Sequence, residues 1–140
     1  MKRKITGNKE TGLPRLGRSF FLYKRERKGF TKLVIVFDVS RVKNRDIDMN
    51  NVTNDMFVCF YAGFIEEEGY ETKKYFTEHP QLSNELLEAL LQKKVSIVGV
   101  NFAGVRRGKE HTPMDQYCAD HGAFIIENLC KTCDAKSCKA

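Results

Sequence analysis

A stretch near the C-terminus, from Asn101 to Asp115, combines residue types that could contact a ligand. It contains two glycines and the three cations Arg106, Arg107 and Lys109, and it follows an apolar, strand-like run. Proteins of the α/β class bind ligands just outside the carboxyl ends of their strands, where such a loop lies. The composition alone is equally typical of a solvated loop, so two interpretations remain open.

Glu127 is a second candidate, because it ends the apolar run Ala123 to Ile126. A carboxylate at the end of a strand can ligate a metal, act as a general base or simply reach water. The residues alone favour solvent exposure.

The third candidate is a cysteine cluster at Cys130, Cys133 and Cys138. Structural zinc normally takes four thiolate or imidazole ligands, and the sequence has no second CxxC pair to complete the set. A redox CxxC would sit at the start of a helix, which this terminal segment does not supply. We expect reduced, unliganded thiols, with a small zinc site on these cysteines as the alternative.

Four strands and one amphipathic helix are needed to position these residues. Continuous apolar and β-branched runs predict buried strands, and leucines at helical spacing after a capping serine predict the helix. The strand, helix, strand order indicates a crossover against a sheet, and thus the α/β class. The predicted elements are strands at Lys32–Ser40, Met56–Tyr61, Val95–Val100 and Ala123–Glu127, and a helix from Ser83 to Lys94.

The remaining segments carry weaker signals. Residues 1–31 are rich in glycine and charge and are predicted to be a basic, poorly structured arm before a domain at residues 32–140. Asn44 to Asp55 favours turns, and Phe64 to Phe76 is predicted to be an ordered loop. Tyr117 to His121 is predicted to form a short helix.

Length and composition fit one domain of 140 residues with enough apolar residues for a core. No run approaches the roughly 20 apolar residues of a membrane span, the N-terminus is unlike a signal peptide, and the five cysteines are odd in number, so we expect a soluble, cytoplasmic protein. Residues 1–32 hold eleven Lys or Arg and two Glu, a net charge of +9, whereas the remainder carries −3. A basic arm can bind nucleic acid or an acidic partner, but without a readout motif a solvated tail is favoured.

Taken in order, several segments resemble the cyclase family of metal-dependent hydrolases, which includes the kynurenine formamidases. The resemblance covers about 100 of the 140 residues, from Thr31 to Leu129. The segments that carry it are the strand Leu33–Ser40, Asp55–Val58, Tyr61-Ala62-Gly63, Tyr75 to Ser83 with His79-Pro80, Val95–Val100, Arg106 to Pro113, Asp115 to Asp120 and Phe124 to Leu129.

The resemblance implies a swivelling β/β/α fold and hydrolysis of an amide, such as an arylformamide in tryptophan catabolism. The implied metal is zinc or manganese, which would polarise the carbonyl and lower the pKa of a water molecule. Glu127 would be a metal ligand, Asp115 would stand where formamidases place a ligating histidine, and His111 would be a further contributor. Arg106, Arg107 and Lys109 would bind a carboxylate of the substrate. The partners implied are this small-molecule substrate and a second copy of the chain.

The sequence departs from the family in one important respect. The family's principal ligands come from a motif of the form HxGTHxDxP, which precedes the strand corresponding to Leu33–Ser40. Here the first aspartate is Asp38 and the first histidine is His79, so that motif is absent. We therefore expect an N-terminally truncated, catalytically impaired or inactive hydrolase; the alternatives are a separate chain that supplies the motif and a non-catalytic binding module that uses the basic arm.

Overall fold

The fold is a five-stranded sheet with helices packed on one face. In the computed structural model, residues 19–27, 30–40 and 47–129 are described. The strands lie side by side in chain order; β1 is antiparallel to β2, and β2 to β5 are mutually parallel. The α/β class predicted from the sequence is therefore confirmed. The strands are β1 (Ser19–Arg27), β2 (Phe30–Asp38), β3 (Phe57–Tyr61), β4 (Ile97–Val100) and β5 (Phe124–Ile126).

Four α-helices lie between the parallel strands. They are α1 (Phe64–Glu68), α2 (Lys73–Glu78), α3 (Asn84–Gln92) and α4 (His111–Asp120). The first three connect β3 to β4, and α4 connects β4 to β5 after a 3-10 turn at Gly108–Glu110. Because each parallel strand pairs with the preceding one, right-handed crossovers place all these connections on the same side of the sheet.

The core lies between that side of the sheet and the helices. Alternate residues of β3, Val58 and Phe60, are buried, while their neighbours are only half-buried. Leu87 and Leu90 of α3 pack into the same cluster, and Ser83 caps the helix by accepting a hydrogen bond from the backbone N–H of Leu86 at 3.2 Å. The second face of the sheet leaves apolar side chains exposed, most of all Phe124 of β5.

The N-terminal segment differs from the prediction of an unstructured arm. Ser19–Arg27 forms strand β1, which pairs with the whole of β2 from Ser19 opposite Asp38 to Arg27 opposite Phe30. The apolar run Phe20 to Tyr23 has the composition of a β-strand, but the glycines and charged residues around it are typical of a loop. Residues 1–18 of the predicted arm lie outside the described residues.

Two further segments differ from prediction. Phe64 to Phe76, predicted as a loop, contains α1 and the start of α2, each too short to show helical periodicity in the sequence. Helix α4 begins at His111, well before the predicted Tyr117. Pro113 is compatible with this start, because it lies in the first turn, where a backbone N–H would have no partner within the helix. This earlier start places the two ends of His111-Thr112-Pro113-Met114-Asp115 on one helical face.

The described helices do not include a membrane-spanning segment, since none has the length and apolarity that crossing a bilayer requires.

Candidate metal centre

Three predicted site residues meet at the carboxyl ends of β4 and β5. His111 and Asp115 lie one turn apart on α4, and Glu127 follows β5 directly. One ligand atom from each residue lies within 4.8 Å of the other two. His111 Nε2 is 2.6 Å from Glu127 Oε1 and 3.8 Å from Asp115 Oδ2. The helix spacing and the end of the strand thus bring one imidazole and two carboxylates together.

Gly104, in the loop after β4, lies directly against the side chains of His111 and Glu127. Its φ is +151°, which L side chains rarely adopt, and a Cβ placed on it would lie 2.5 Å from His111 Cδ2 and 3.0 Å from Glu127 Oε1. The backbone therefore approaches both side chains more closely than any residue with a Cβ would permit. Sequence reasoning did not single out Gly104, although a glycine in a loop between two candidate residues is a signal for close backbone approach.

Burial shapes the electrostatics of the two carboxyls. Burial raises the pKa of Asp115, which the neighbouring His111 partly counteracts. Burial is also the main cause that raises the pKa of Glu127; the hydrogen bond from His111 lowers it and the charge of Asp115 raises it further. One oxygen of Asp115, Oδ1, is buried and has no hydrogen-bond partner among the described residues. Such an atom is costly to leave unpaired, so it is suited to a cation.

The three predicted substrate-binding cations lie on the loop before α4. The Arg106 guanidinium donates to Leu82 O at 3.2 Å and to Asn84 Oδ1 at 2.7 Å, and it pairs with Glu110 at 3.3 Å. The Arg107 guanidinium donates to Thr77 O at 3.0 Å. Arg106 thus connects the loop before α4 to the start of α3, and Arg107 connects it to the end of α2.

Lys109 differs from the two arginines, because it is exposed on the 3-10 turn. Its ammonium group projects from the same loop that leads into His111.

Two further buried polar residues, His79 and Tyr75, have no role predicted from the sequence. His79 is 1% exposed, donates from Nδ1 to Pro80 O at 2.7 Å and stacks on Phe102. Burial lowers its pKa and so favours the neutral imidazole. Tyr75 is fully buried and donates its hydroxyl to Asn128 Oδ1 at 2.7 Å. Burial raises the pKa of Tyr75 to about 12, which keeps the hydroxyl protonated as a donor.

Asn101 ties together the ends of two parallel strands at the same edge. It is 3% exposed, accepts from the backbone N–H of Ala62 at 2.7 Å and donates to Glu66 Oε2 at 2.9 Å. These bonds fix the start of the loop that carries Gly104.

The two described cysteines are free thiols; Cys118 is buried and Cys59 is half-buried. Burial raises the pKa of Cys59 to about 12 and that of Cys118 to about 11, so neither is a thiolate near neutral pH. Cys130, Cys133 and Cys138 lie outside the described residues, and the interpretation of that cluster stays a prediction.

The fold is similar to that of a solved structure described as a potential metal-dependent hydrolase with cyclase activity. The two share 17% sequence identity and a TM-score of 0.53, over 86% of this chain and 74% of that chain. No sequence model of a protein family matches the chain, and no curated protein matches its sequence. The similarity supports the cyclase-like α/β fold predicted from the sequence.

Substitution of Gly104 tests whether its close approach shapes the cluster. We expect Gly104→Ala to lower the free energy of unfolding by about 2–4 kcal/mol, from overpacking and backbone strain together. It should also perturb the side-chain NMR signals of His111. Gly108→Ala is the matched control, because Gly108 also has a positive φ (+57°) but a Cβ there meets nothing within 4 Å. Equal effects of the two substitutions, measured by urea denaturation, would contradict the close-approach explanation.

The raised pKa values of Asp115 and Glu127 predict a pH-dependent stability in the presence of a chelator. A carboxyl with a raised pKa holds its proton more tightly in the folded state, so its stabilisation is present at low pH and is lost as the pH rises through that raised pKa. The wild type should therefore lose stability relative to the double variant Asp115→Asn/Glu127→Gln as the pH rises above about 4, the ordinary carboxyl pKa. A difference in the free energy of unfolding that stays constant as the pH rises would contradict the prediction.

Proposed function

We propose that this chain is a cyclase-type, metal-dependent hydrolase that holds one zinc or manganese ion at His111, Asp115 and Glu127. The observation that carries the proposal is the convergence of their three ligand atoms within 4.8 Å. The similarity in fold to a structure described as a potential metal-dependent hydrolase with cyclase activity supports the same function.

The distances within the cluster fit a divalent cation. Ligands about 2.1 Å from a tetrahedral ion stand roughly 3.4 Å apart. The contacts of His111 Nε2, at 2.6 Å to Glu127 and 3.8 Å to Asp115, lie on either side of that value, so small side-chain rotations would bring all three into place. The unpartnered Asp115 Oδ1 supplies a further lone pair. Two carboxylates also balance the charge of a divalent ion.

Binding a cation requires the cluster to give up protons. The hydrogen bond between His111 and Glu127 places a proton where the cation would lie, and ligation by Nε2 requires its loss. Since burial raises the pKa of both carboxyls, protonation competes with the cation more strongly here than at an exposed site.

Three protein ligands would leave a coordination position open, as in catalytic rather than structural zinc sites. When bound, such an ion polarises a carbonyl and lowers the pKa of a water molecule. The chain itself supplies a partly buried site, with the ligand side chains 23–34% exposed, that excludes much of the bulk water.

The substrate class we propose is an amide or formamide that bears a carboxylate, such as an arylformamide. Lys109 is exposed and carries a positive charge close along the chain to His111, so we assign it to that carboxylate. To contact the substrate, each arginine would have to break a hydrogen bond to a backbone carbonyl. These carbonyls are Leu82 O for Arg106 and Thr77 O for Arg107. We therefore propose that the arginines chiefly hold the loop.

The rate should be low, because this sequence lacks the histidine-rich motif that precedes the corresponding strand in the cyclase family. The first histidine among the 140 residues is His79, so the residues before β2 in this sequence contribute no imidazole to the cluster. Typical catalytic zinc sites have at least two nitrogen or sulfur ligands, whereas this cluster offers one imidazole, so we expect it to bind a metal more weakly.

A metal titration tests the site directly. We expect the chain to bind a single zinc or manganese ion, measured by calorimetry, and Glu127→Gln and Asp115→Asn each to weaken binding by more than about 100-fold, because loss of a ligand costs more than loss of an outer partner. Asp120→Asn is the matched control: Asp120 lies on the same helix, is exposed and accepts a hydrogen bond from the side chain of Gln116. Binding that survives both ligand substitutions would overturn the assignment.

A hydrolysis assay tests the activity. We expect slow, chelator-sensitive release of formate from formylkynurenine or a related arylformamide, lost in Glu127→Gln and retained in Asp120→Asn. Lys109→Ala should raise KM more than it lowers kcat, because it removes a contact made equally in the bound substrate and the transition state. Fast turnover would contradict the claim of impairment, and chelator-insensitive turnover would contradict the metal.

A further inference from the structure

Tyr75 lies in helix α2 and contacts the segment that carries Glu127. The two are far apart in sequence, yet the hydroxyl of Tyr75 donates to Asn128 Oδ1 at 2.7 Å. The Tyr75 ring is fully buried and held between Phe64, at a centroid distance of 5.9 Å, and Phe76, at 5.2 Å. The ring has little freedom, so its hydroxyl is a fixed point for the asparagine side chain.

Asn128 adopts a backbone conformation that needs support. Its φ is +57°, in the left-handed region, where asparagine is enriched among non-glycine residues but still uncommon. Its N–H donates to Phe102 O, and the next N–H, of Leu129, donates to Val100 O, each at 3.0 Å. The chain thus turns immediately after Glu127 and returns against the loop that follows β4.

That turn determines where Glu127 points. Glu127 lies between the last residue of β5 and the left-handed Asn128, so the direction of its side chain depends on both. A change of Asn128 to the more common extended or right-handed conformation would rotate the peptide that follows Glu127. The 2.6 Å contact with His111 requires the observed direction.

We propose that Tyr75 is a positioning residue, which holds the side chain of Asn128 and thereby fixes the turn that directs Glu127 toward His111 and Asp115. The proposal rests on the metal site proposed above and extends it to a residue on another helix. Partners of this kind, one step removed from a metal ligand, commonly change metal affinity by about 10–100-fold when substituted. Tyr75 itself touches neither metal nor substrate.

The experiment compares Tyr75→Phe with a matched control that also removes one tyrosine hydroxyl. Tyr117 donates its hydroxyl to Glu88 Oε1 at 2.6 Å on the exposed side of α4, so Tyr117→Phe removes a comparable hydrogen bond that does not involve Asn128. Each variant is measured by zinc and manganese titration, by thermal unfolding, and by the side-chain 15N NMR spectrum of His111 in the metal-free protein.

We expect Tyr75→Phe to weaken metal binding by about 10-fold or more and to shift the His111 signals, and Tyr117→Phe to do neither. In an Asn128→Ala background, which lacks the acceptor, Tyr75→Phe should weaken binding by less than about twofold, because the two residues act as one unit. A purely structural role would lower the melting temperature without changing the affinity or the His111 signals, and that result would overturn the proposal.

The metal-free spectrum separates this proposal from the proposed function. If the wild type binds neither ion, the metal site fails, while a shift of the His111 signals in Tyr75→Phe but not in Tyr117→Phe still supports the positioning role. If the wild type binds metal and Tyr75→Phe leaves both affinity and spectrum unchanged, the metal site stands and the positioning role is overturned.

Discussion

The candidate site depends on one close contact. The backbone at Gly104 lies directly against the side chains of His111 and Glu127. A side chain at position 104 would occupy the space that the imidazole and the carboxylate fill, since even a Cβ would come within 2.5 Å of His111. The loop after β4, the first turn of α4 and the end of β5 can meet only because that position is a glycine. Hydrogen bonds of Asn101 and the two arginines hold the same loop in place.

Within this close assembly, two carboxyls share one imidazole under partial burial. Burial favours their protonated forms, while the hydrogen bond from His111 favours the charged form of Glu127, so the pair is balanced between opposing effects. His111 stabilises the charged form of Asp115 less than that of Glu127, because its Nε2 is 3.8 Å from Asp115 and 2.6 Å from Glu127. The second oxygen of Asp115 is buried and has no hydrogen-bond partner in the described part of the chain. A buried carboxylate oxygen without a hydrogen-bond partner lowers stability, and a cation or a proton bound at that oxygen would remove this cost.

The sequence predicts the parts of this fold that depend on local pattern. Strand β2 and helix α3 follow from an apolar run and from leucines at helical spacing, and both begin and end within two residues of the predicted bounds. The sequence predicts a start of helix α4 that is six residues too late, at Tyr117 instead of His111. Pro113 is typical of a loop, and only the structure shows that it lies in the first turn of a helix. The short helices α1 and α2 have too few residues for any period to show.

The candidate site is only partly predictable for the same reason. The three cluster residues were identified through resemblance to a family, and the structure places them together. The contribution of Gly104 depends on a distance between loops, and the bond from Tyr75 to Asn128 joins residues 53 positions apart. Contacts of that range are set by tertiary packing and leave no periodic signal in one sequence.

The position of the cluster also affects the edge of the sheet. Strand β5 has three residues and exposes Phe124 to solvent, and among the described strands it pairs only with β4, so few contacts there hold it in place. His111 and Glu127 lie at opposite ends of the connection formed by α4 and β5. A cation shared between them would therefore act as a cross-link that closes this short loop, in the way a disulfide closes one. Occupancy would then protect the edge strand from fraying and from proteolysis, quite apart from any chemistry.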